Sequence, residues 1–177
     1  MKILDATCGA RGMWYIKKHP LVIYMDKREG VFINKKEYNK FKNTRKTKIK
    51  PDVVSEWKDT PFPDEHFDCI IFDPPFHIEK RGTKEAGIHY RYGRLYKDNW
   101  KKELGEGIQV LFKKLKKNGL FIFKWCENNN TVDINDVLKL FPYKPAFGTK
   151  TGQANNQHWI VFIKYSFDKR LDIKLKV

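Results

Sequence analysis

The chain has 177 residues, with 36 Lys and Arg against 21 Asp and Glu, which gives a formal net charge of +15 at pH 7. This length supports one ordinary domain with a sizeable hydrophobic core and excludes two. Because the positive charge is clustered along the chain, it favours a polyanionic partner, and nucleic acid is the first candidate. We therefore expect one domain over residues 1–177.

Three cysteines, Cys8, Cys69 and Cys126, are too few and too apolar in their surroundings for a disulfide framework or a zinc site. We therefore expect no metal and a reducing compartment, the cytoplasm. No apolar run approaches the roughly 20 residues that a membrane span needs, and the N-terminus has no signal-peptide pattern. The sequence thus predicts a soluble protein that is not exported.

Apolar periodicity predicts alternating strands and helices in the first half of the chain. The predicted strands are residues 2–6, 21–25, 52–55 and 69–72. Between them, the pattern predicts a turn at 8–12, a helix at 13–19 ended by Pro20, a solvated helix with a basic loop at 34–50, and a turn at 60–64.

In the second half, residues 99–117 carry apolar side chains at helical spacing, and Asn118-Gly119 resembles a C-cap. The remaining predictions are a strand at 120–125, a helix at 134–140 and a strand at 158–165 that pairs with an irregular one at 145–149. Such alternation predicts an α/β fold: a mostly parallel central sheet with helices on both faces and an antiparallel C-terminal hairpin. In such sheets, ligands bind beyond the carboxyl ends of the strands.

Two features follow the first two predicted strands. Residues 4–12, Leu-Asp-Ala-Thr-Cys-Gly-Ala-Arg-Gly, form a glycine-bearing turn in which the backbone can pass close to a ligand. The spacing is not G-x-G-x-x-G, which disfavours a dinucleotide fingerprint. Asp26 ends the second strand, where a carboxylate can accept hydrogen bonds from both hydroxyls of a ribose.

The fourth predicted strand ends abruptly in Asp73-Pro74-Pro75-Phe76, the strongest motif in the chain. Two consecutive prolines fix φ and remove two N–H donors, so this loop presents rigid acceptors. Such acceptors suit an exocyclic amine, whose lone pair is delocalised into its ring. If the Asp73 carboxylate and the Pro74 carbonyl accept the two N–H hydrogens, the lone pair points at an incoming methyl group. Phe76 is expected to stack on the unpaired base.

The order of these motifs, with Glu56-Trp57 between Asp26 and the Asp73 loop, resembles the class I S-adenosylmethionine-dependent methyltransferases over residues 2–76. The Asp-Pro-Pro-aromatic loop resembles that of the enzymes that methylate the 6-amino group of adenine or the 4-amino group of cytosine, and some RNA guanine methyltransferases share it. The resemblance implies a Rossmann-like fold and S-adenosylmethionine as cofactor. A Pro-Cys turn, which carbon-5 cytosine methylation needs, is missing from the sequence.

Carried over by position, the resemblance assigns the methionine side of the cofactor to the first turn, the ribose to Asp26 and the adenine ring to Glu56 and Trp57. The family usually has further glycines where this chain has Ala10 and Arg11. The family's N-terminal helix over the cofactor has no counterpart in the sequence, and a homodimer is one way to cover the site. The full predicted cofactor-binding set is Asp5, Ala6, Thr7, Cys8, Gly9, Asp26, Lys27, Glu56, Trp57 and Asp73, with Lys27 as a neighbour more than a ligand.

Residues 77–99, here called the recognition segment, show little periodicity and interleave cations with aromatic rings, a combination that suits phosphates and bases. The alternative is a mobile basic surface loop. His77 is interpreted as solvated or base-contacting, not as a general base. The roles of the basic residues in 35–50 and of the polar residues 150–158 stay open. The predicted nucleic-acid-binding residues are Lys80, Arg81, Lys84, Tyr90, Arg91, Tyr92 and Arg94.

The sequence favours a DNA amino-methyltransferase that acts on adenine. An RNA methyltransferase that acts on adenine or guanine is the main alternative, because the phosphate contribution to binding is the same for both polymers. A binding subunit that keeps the fold without activity is a further alternative, although Asp26 and Asp73 are both retained. A small-molecule methyltransferase would leave the basic and aromatic recognition segment unexplained.

Overall fold

The computed structural model describes residues 1–33, 46–83, 89, 92–128, 131–151 and 156–165. None of the helices in these ranges is long and apolar enough to cross a membrane. Along the chain the elements are β1 (Ile3–Asp5), β2 (Val22–Asp26), β3 (Gly30–Ile33), β4 (Lys46–Ile49), β5 (Val53–Val54), β6 (Phe67–Phe72), β7 (Ile78–Glu79), β8 (Leu95–Tyr96), α1 (Trp100–Lys114), β9 (Leu115–Cys126), α2 (Ile134–Leu138), β10 (Phe147–Thr151) and β11 (Gln157–Ile163).

Seven strands form the central sheet in the order β10-β11-β9-β6-β1-β2-β5. The five strands from β9 to β5 are parallel, whereas β11 runs antiparallel to both β9 and β10. Leu4 in β1 lies between Ile23 of β2 and Ile70 of β6. Strands β2 and β5 are therefore added on one side of β1, and the later strands β6 and β9 on its other side. The predicted parallel sheet with a C-terminal antiparallel hairpin is confirmed.

Helices α1 and α2 pack on the same side of the sheet. Helix α1 buries its apolar stripe against β6 and β9, and Phe112 stacks on Phe121 with ring centroids 4.5 Å apart. Helix α2 adds Val137 to the same core, where Phe141 stacks on Phe162 at 4.2 Å. Each such fully buried ring or branched chain stabilises the fold by about 1.5–3 kcal/mol relative to an exposed position. This side of the sheet therefore supplies most of the hydrophobic core.

On the opposite side, the predicted helix at 13–19 is wrong, because these residues form turns and bends. Trp14 fixes them: its indole packs edge-on against Tyr24 at 5.4 Å and donates a hydrogen bond to Asp5 Oδ2 at 2.7 Å. A helix this short is not stable without strong packing of its own. Helices were predicted on both faces of the sheet. Helices α1 and α2 lie on one face, and the turns around Trp14 cover part of the opposite face.

Two boundaries differ from the sequence prediction. Residues 46–49, predicted as part of a helix and basic loop, form strand β4, which pairs with β3 and alternates exposed lysines with buried Thr47 and Ile49; residues 34–45 lie outside the described residues. Helix α1 ends at Lys114, because Leu115 takes an extended conformation and is fully buried. Asn118 has a positive φ of 62° but lies within strand β9, so it is not the helix cap.

Candidate functional site

A pocket of about 350 Å³ opens beyond the carboxyl ends of β1, β2 and β6, where the strand order reverses. This is the position at which open α/β sheets bind ligands, and the volume lies within the range of small-molecule sites. Its walls come from eight parts of the chain that are separate in sequence. The lining residues are Ala6, Thr7, Cys8, Gly9, Ala10, Gly12, Met13, Asp26, Lys27, Arg28, Thr47, Trp57, Asp73, Pro75, Tyr92, Gly93, Lys124 and Trp159.

The turn after β1 forms the floor of the pocket. Gly9 has a positive φ of 49°, and a Cβ added there would meet no atom within 4 Å, so its backbone is open to a ligand. The turn is held at two points: Cys8 N–H donates to the Met25 carbonyl at 2.8 Å, and Gly9 N–H donates to Asp26 Oδ2 at 2.9 Å. The predicted cofactor residues after β1 and β2 are therefore joined directly to each other.

Asp26 is buried at the end of β2 and lines the pocket. Its Oδ1 accepts hydrogen bonds from the backbone N–H of Arg28 at 2.9 Å and from Arg28 Nε at 3.1 Å. Arg28 thus lies beside the carboxylate and also lines the pocket, although no pattern in the sequence singles it out. A hydroxyl-bearing ligand at Asp26 would share this carboxylate with Arg28.

Asp5 does not line the pocket but lies fully buried beneath its floor. Its Oδ1 accepts from the Thr7 N–H at 3.2 Å, and its Oδ2 accepts from Trp14 Nε1. Burial raises the pKa of Asp5 from 3.8 to about 7. The nearby Asp73 and Asp26 carboxylates add to this rise, whereas the two hydrogen bonds act in the opposite direction and lower the pKa. Asp5 therefore shapes the turn from below, where a cofactor does not reach it.

Trp57 forms an apolar wall, while its predicted partner Glu56 stays outside. The Trp57 indole is buried, packs edge-on against Phe72 at 5.4 Å and lines the pocket. Glu56 is not among the lining residues; its Oε1 lies 3.4 Å from Lys27 Nζ at an exposed position. Lys27 lines the pocket, and its ammonium lies 5.7 Å from the centre of the Trp57 ring.

Asp73 lies at the end of β6 with its carboxyl group in the pocket wall. Its backbone N–H donates to Thr7 Oγ1 at 2.9 Å, and its Oδ2 accepts from Lys124 Nζ at 2.9 Å. Burial raises the pKa of Asp73 above its ordinary value, while Lys124 acts in the opposite direction through charge and hydrogen bond. Thr7 and Lys124 together fix the position of this acid.

Sequence reasoning missed Lys124 and Trp159, which complete the wall around Asp73. Lys124 is on β9 between Phe123 and Trp125, and its Nζ lies 5.6 Å from the centre of the Trp159 ring on β11. The signal was available, because Lys124 is the one charged residue within the apolar run 120–126. Alternation along β9 turns it away from the helices, toward the same face as the carboxyl group of Asp73.

The rest of the Asp73 loop lies below the pocket opening. Pro74 and Pro75 are buried, and Pro75 lines the pocket, whereas Pro74 and Phe76 are not among the lining residues. The Phe76 ring is half-buried, 4.8 Å from the His77 ring and 6.4 Å from Tyr92. A Cβ added at Gly93 would lie 3.1 Å from Pro75 Cγ, so the backbone of the recognition segment packs tightly on this loop.

Four of the seven predicted nucleic-acid-binding residues are described, and Lys84, Tyr90 and Arg91 lie outside the described residues. Tyr92 is exposed and borders the pocket. Lys80 and Arg81 are exposed on the surface, where Arg81 Nε pairs with Asp98 at 2.6 Å. Arg94 donates to the Thr83 carbonyl at 2.7 Å. The structure thus brings Tyr92 to the site and leaves Lys80, Arg81 and Arg94 outside the pocket lining.

The buried thiols are unsuited to nucleophilic catalysis. Burial raises the pKa of Cys8 to about 12 and that of Cys69 to about 11, so both thiols are protonated at neutral pH. The thiolate is the reactive form of cysteine. Neither thiol is therefore a candidate nucleophile.

No protein-family model matches the chain. No curated protein matches its sequence either. Among solved structures, the PH0226 protein from Pyrococcus horikoshii OT3 has 16% identity and a TM-score of 0.55, covering 93% of this chain and 82% of that one. The N-methyltransferase NodS from Bradyrhizobium japonicum WM9 has 12% identity and a TM-score of 0.54, with 93% and 86% covered.

A TehB-like SAM-dependent methyltransferase from Corynebacterium glutamicum has 16% identity and a TM-score of 0.53, covering 92% of this chain and 79% of that one. These similarities extend over nearly the whole chain at low identity. They confirm the predicted fold class, the Rossmann-like α/β fold of class I methyltransferases.

Proposed function

We propose that this protein transfers a methyl group from S-adenosylmethionine to an exocyclic amino group of a nucleobase, with the 6-amino group of adenine in DNA as the target. The observation that carries the proposal is the position of Asp73. Its carboxyl group lies in the wall of the pocket after β1 and β2, and Thr7 and Lys124 hold it there.

The residues around the pocket suit S-adenosylmethionine. The open backbone at Gly9 accommodates the methionine part, the Asp26 carboxylate accepts from ribose hydroxyls, and the Trp57 ring offers an apolar face to the adenine. When bound, this cofactor supplies an electrophilic methyl group. Asp5 and Glu56 leave the proposed contact set, because Asp5 lies beneath the floor and Glu56 outside the lining.

Asp73 and Pro74 act on the amino group as acceptors. Lys124, 2.9 Å from Asp73 Oδ2, favours the ionised carboxylate that burial alone would disfavour. An ionised Asp73 accepts one amino hydrogen from the pocket wall. The second acceptor in this proposal is the carbonyl of Pro74, which is buried and outside the lining, so the loop must shift for it to reach the amine. Together the two acceptors aim the nitrogen lone pair into the pocket. This contribution is one of orientation and charge stabilisation in a partly dehydrated site.

Support for a nucleic-acid substrate comes from charge and aromatic rings. The chain carries a formal net charge of +15, which attracts phosphates whatever the base sequence. Tyr92 is exposed at the edge of the pocket, and Phe76 lies beside it, so the two rings can receive a base that has left its stack. Lys80 and Arg81 lie on the exposed surface of the same segment, where phosphates can approach.

Cofactor binding is tested by calorimetry with S-adenosylhomocysteine and the full chain. We expect one binding site, and we expect Asp26→Ala to weaken binding by roughly tenfold or more because a buried carboxylate that accepts hydroxyl hydrogens is lost. Asp64→Ala, a change at an exposed acid outside the pocket, serves as control. Failure of the wild-type chain to bind would rule out the proposed cofactor.

The polymer is tested by labelled methyl transfer to single-stranded DNA, duplex DNA and total RNA. We expect DNA to accept more label than RNA and Asp73→Ala to abolish transfer while S-adenosylhomocysteine still binds. Label in RNA alone would replace DNA by RNA in the proposal. Equal transfer by wild type and Asp73→Ala would remove Asp73 from the catalytic role.

A further inference from the structure

Three side chains with metal-binding atoms converge beside the Asp73 loop: His77, Glu79 and His89. Their ligand atoms all lie within 4.8 Å of one another, and His89 Nε2 is 3.7 Å from Glu79 Oε1. It is the one such group of three or more His, Cys, Asp or Glu in the part of the chain that the structure describes. The sequence predicted no metal because its three cysteines do not form a zinc-binding pattern, and that prediction did not consider these histidines.

Backbone hydrogen bonds position all three residues. Strands β7 and β8 pair so that Leu95 N–H donates to the His77 carbonyl at 2.8 Å and Lys97 N–H donates to the Glu79 carbonyl at 3.0 Å. Gly93 N–H donates to the His89 carbonyl at 2.8 Å. The three side chains are therefore presented by a connected framework and not by three independent loops.

His77 supplies a second observation. Its Nε2 is buried and has no hydrogen-bond partner. A buried polar atom without a partner is unfavourable and calls for an explanation such as a bound ion. His89 is also buried, and its ring lies 5.8 Å from that of His77 in an edge-on arrangement. Ligand atoms of both imidazoles and of the Glu79 carboxylate thus lie within 4.8 Å of one another.

We propose that His77, Glu79 and His89 bind one Zn²⁺ ion. Two imidazoles and one carboxylate are a known ligand set for zinc, and the set has too few oxygen atoms for Ca²⁺ or Mg²⁺. Tetrahedral zinc with bonds near 2.1 Å sets its ligand atoms about 3.4 Å apart. The observed spread of up to 4.8 Å exceeds that value by about 1.4 Å, so the three side chains must move closer together when the ion binds. Water completes the fourth position.

Zinc at this site would stabilise one wall of the pocket. It would tie β7 to His89, which precedes Tyr92 and Gly93, the two residues of the recognition segment that line the pocket. Gly93 in turn packs on Pro75 of the Asp73 loop. The metal would therefore act on the shape of the substrate entrance and would take no part in the transfer itself. This inference is independent of the methyl acceptor.

The test uses the full chain, freed of metal by a chelator and then titrated with Zn²⁺ against a competing chromophoric chelator. We expect one equivalent of zinc to bind to the wild type, and His77→Ala and Glu79→Gln each to weaken binding at least tenfold. We also expect Zn²⁺ to raise the melting temperature of the wild type but not that of Glu79→Gln. The latter variant keeps the size of the side chain and separates metal loss from misfolding.

His66→Ala and His158→Ala are the matched controls. His66 packs between Phe62 and Phe67, and His158 pairs with Glu127; neither belongs to the cluster. Both controls should bind zinc like the wild type. The proposal is overturned if the wild type binds less than one equivalent, if His77→Ala and Glu79→Gln bind as tightly as the wild type, or if His158→Ala abolishes binding.

Discussion

The ammonium of Lys124 lies 2.9 Å from Oδ2 of Asp73, and each side chain is 19% exposed. Burial raises the pKa of Asp73, whereas Lys124 lowers it. This balance sets how strongly Asp73 accepts a hydrogen bond from an amino group at neutral pH, because the carboxylate is a stronger acceptor than the protonated carboxyl group. Lys124 is therefore a positioning residue for the acid that the proposed reaction needs.

Substituting Lys124 by Met should reduce methyl transfer by roughly 10- to 100-fold at pH 7, which corresponds to about 1.4–2.8 kcal/mol in the transition state. Without the lysine, the pKa of Asp73 rises further, so the acidic limb of the pH–rate profile moves to higher pH. Lys124→Arg keeps the charge and should restore much of the rate. A pH profile that does not move in Lys124→Met would contradict this role.

Thr7 connects the two halves of the site through one hydrogen bond. Its Oγ1 accepts the backbone N–H of Asp73 at 2.9 Å. Thr7→Val keeps the shape but leaves that N–H without a partner, at a cost of about 1–3 kcal/mol. We expect kcat to fall more than the affinity for S-adenosylhomocysteine, and Thr7→Ser, which keeps the hydroxyl, to behave like the wild type. An unchanged kcat in Thr7→Val would show that the bond does not position Asp73.

Asp5 gives the fold a pH dependence of its own. The pKa of Asp5 is about 7 in the folded chain, compared with an ordinary value of 3.8. Above about pH 4 the unfolded chain therefore loses this proton, whereas the folded chain keeps it up to about pH 7. The free energy of unfolding should therefore fall between pH 4 and 7, by at most about 1.4 kcal/mol per pH unit, and level off above 7. Asp5→Asn should remove this contribution, as denaturant unfolding at pH 5 and pH 8 would measure.

The control for this experiment is Asp64→Asn. The hydrogen bond from Lys114 holds the pKa of Asp64 below its ordinary value, so its stabilisation is present at neutral pH and is lost only as pH falls toward that value. The difference between pH 5 and pH 8 should thus be the same in Asp64→Asn as in the wild type. Equal pH dependence in wild type and Asp5→Asn would contradict the assigned protonation of Asp5.

Two glycines of α1 give a matched pair of stability tests. A Cβ at Gly107 would lie 2.6 Å from Trp57 Nε1, whereas one at Gly105 would meet Leu140 Cδ2 at an ordinary 3.9 Å. We expect Gly107→Ala to destabilise the fold by about 1–3 kcal/mol and to weaken cofactor binding through the displaced Trp57 ring. Gly105→Ala should stabilise the helix by up to about 1 kcal/mol. Thermal unfolding of both variants measures the contrast.

Much of the pocket could be predicted from the sequence, because its residues follow strands whose apolar patterns are clear. Gly9, Asp26 and Asp73 all line it as expected. Lys124 and Trp159 were missed because they reach the site across the sheet, from β9 and β11, and the one local sign was that Lys124 interrupts an apolar run. The burial of individual side chains could not be predicted either. The position of Asp5 in its turn does not tell whether its carboxyl group faces a ligand or the core.

The fold could be predicted where a run of buried apolar residues determines the conformation. It was harder to predict where the contacts of a single side chain determine it. The mostly parallel sheet was predicted from the alternation of strands and helices and from the apolar strands β1, β2 and β6, whereas its strand order was not. The segment around Trp14 was wrongly predicted as a helix. Its turns are held by the hydrogen bond of Trp14 to Asp5 and by its ring contact with Tyr24, and such tertiary contacts are not visible in a local pattern. The β3–β4 pair was missed because its lysines have the composition of a solvated helix, while only Thr47 and Ile49 face inward.

The account is tested most directly by the nucleoside that carries the transferred methyl group. Single-stranded DNA is incubated with labelled S-adenosylmethionine and either the wild type or Asp73→Asn, then digested to nucleosides and analysed by mass spectrometry. We predict labelled 6-methyldeoxyadenosine with the wild type, and at least a roughly 100-fold loss with Asp73→Asn although S-adenosylhomocysteine binds to both. Equal amounts of product from the two proteins, or a label on a ring carbon, would contradict the account.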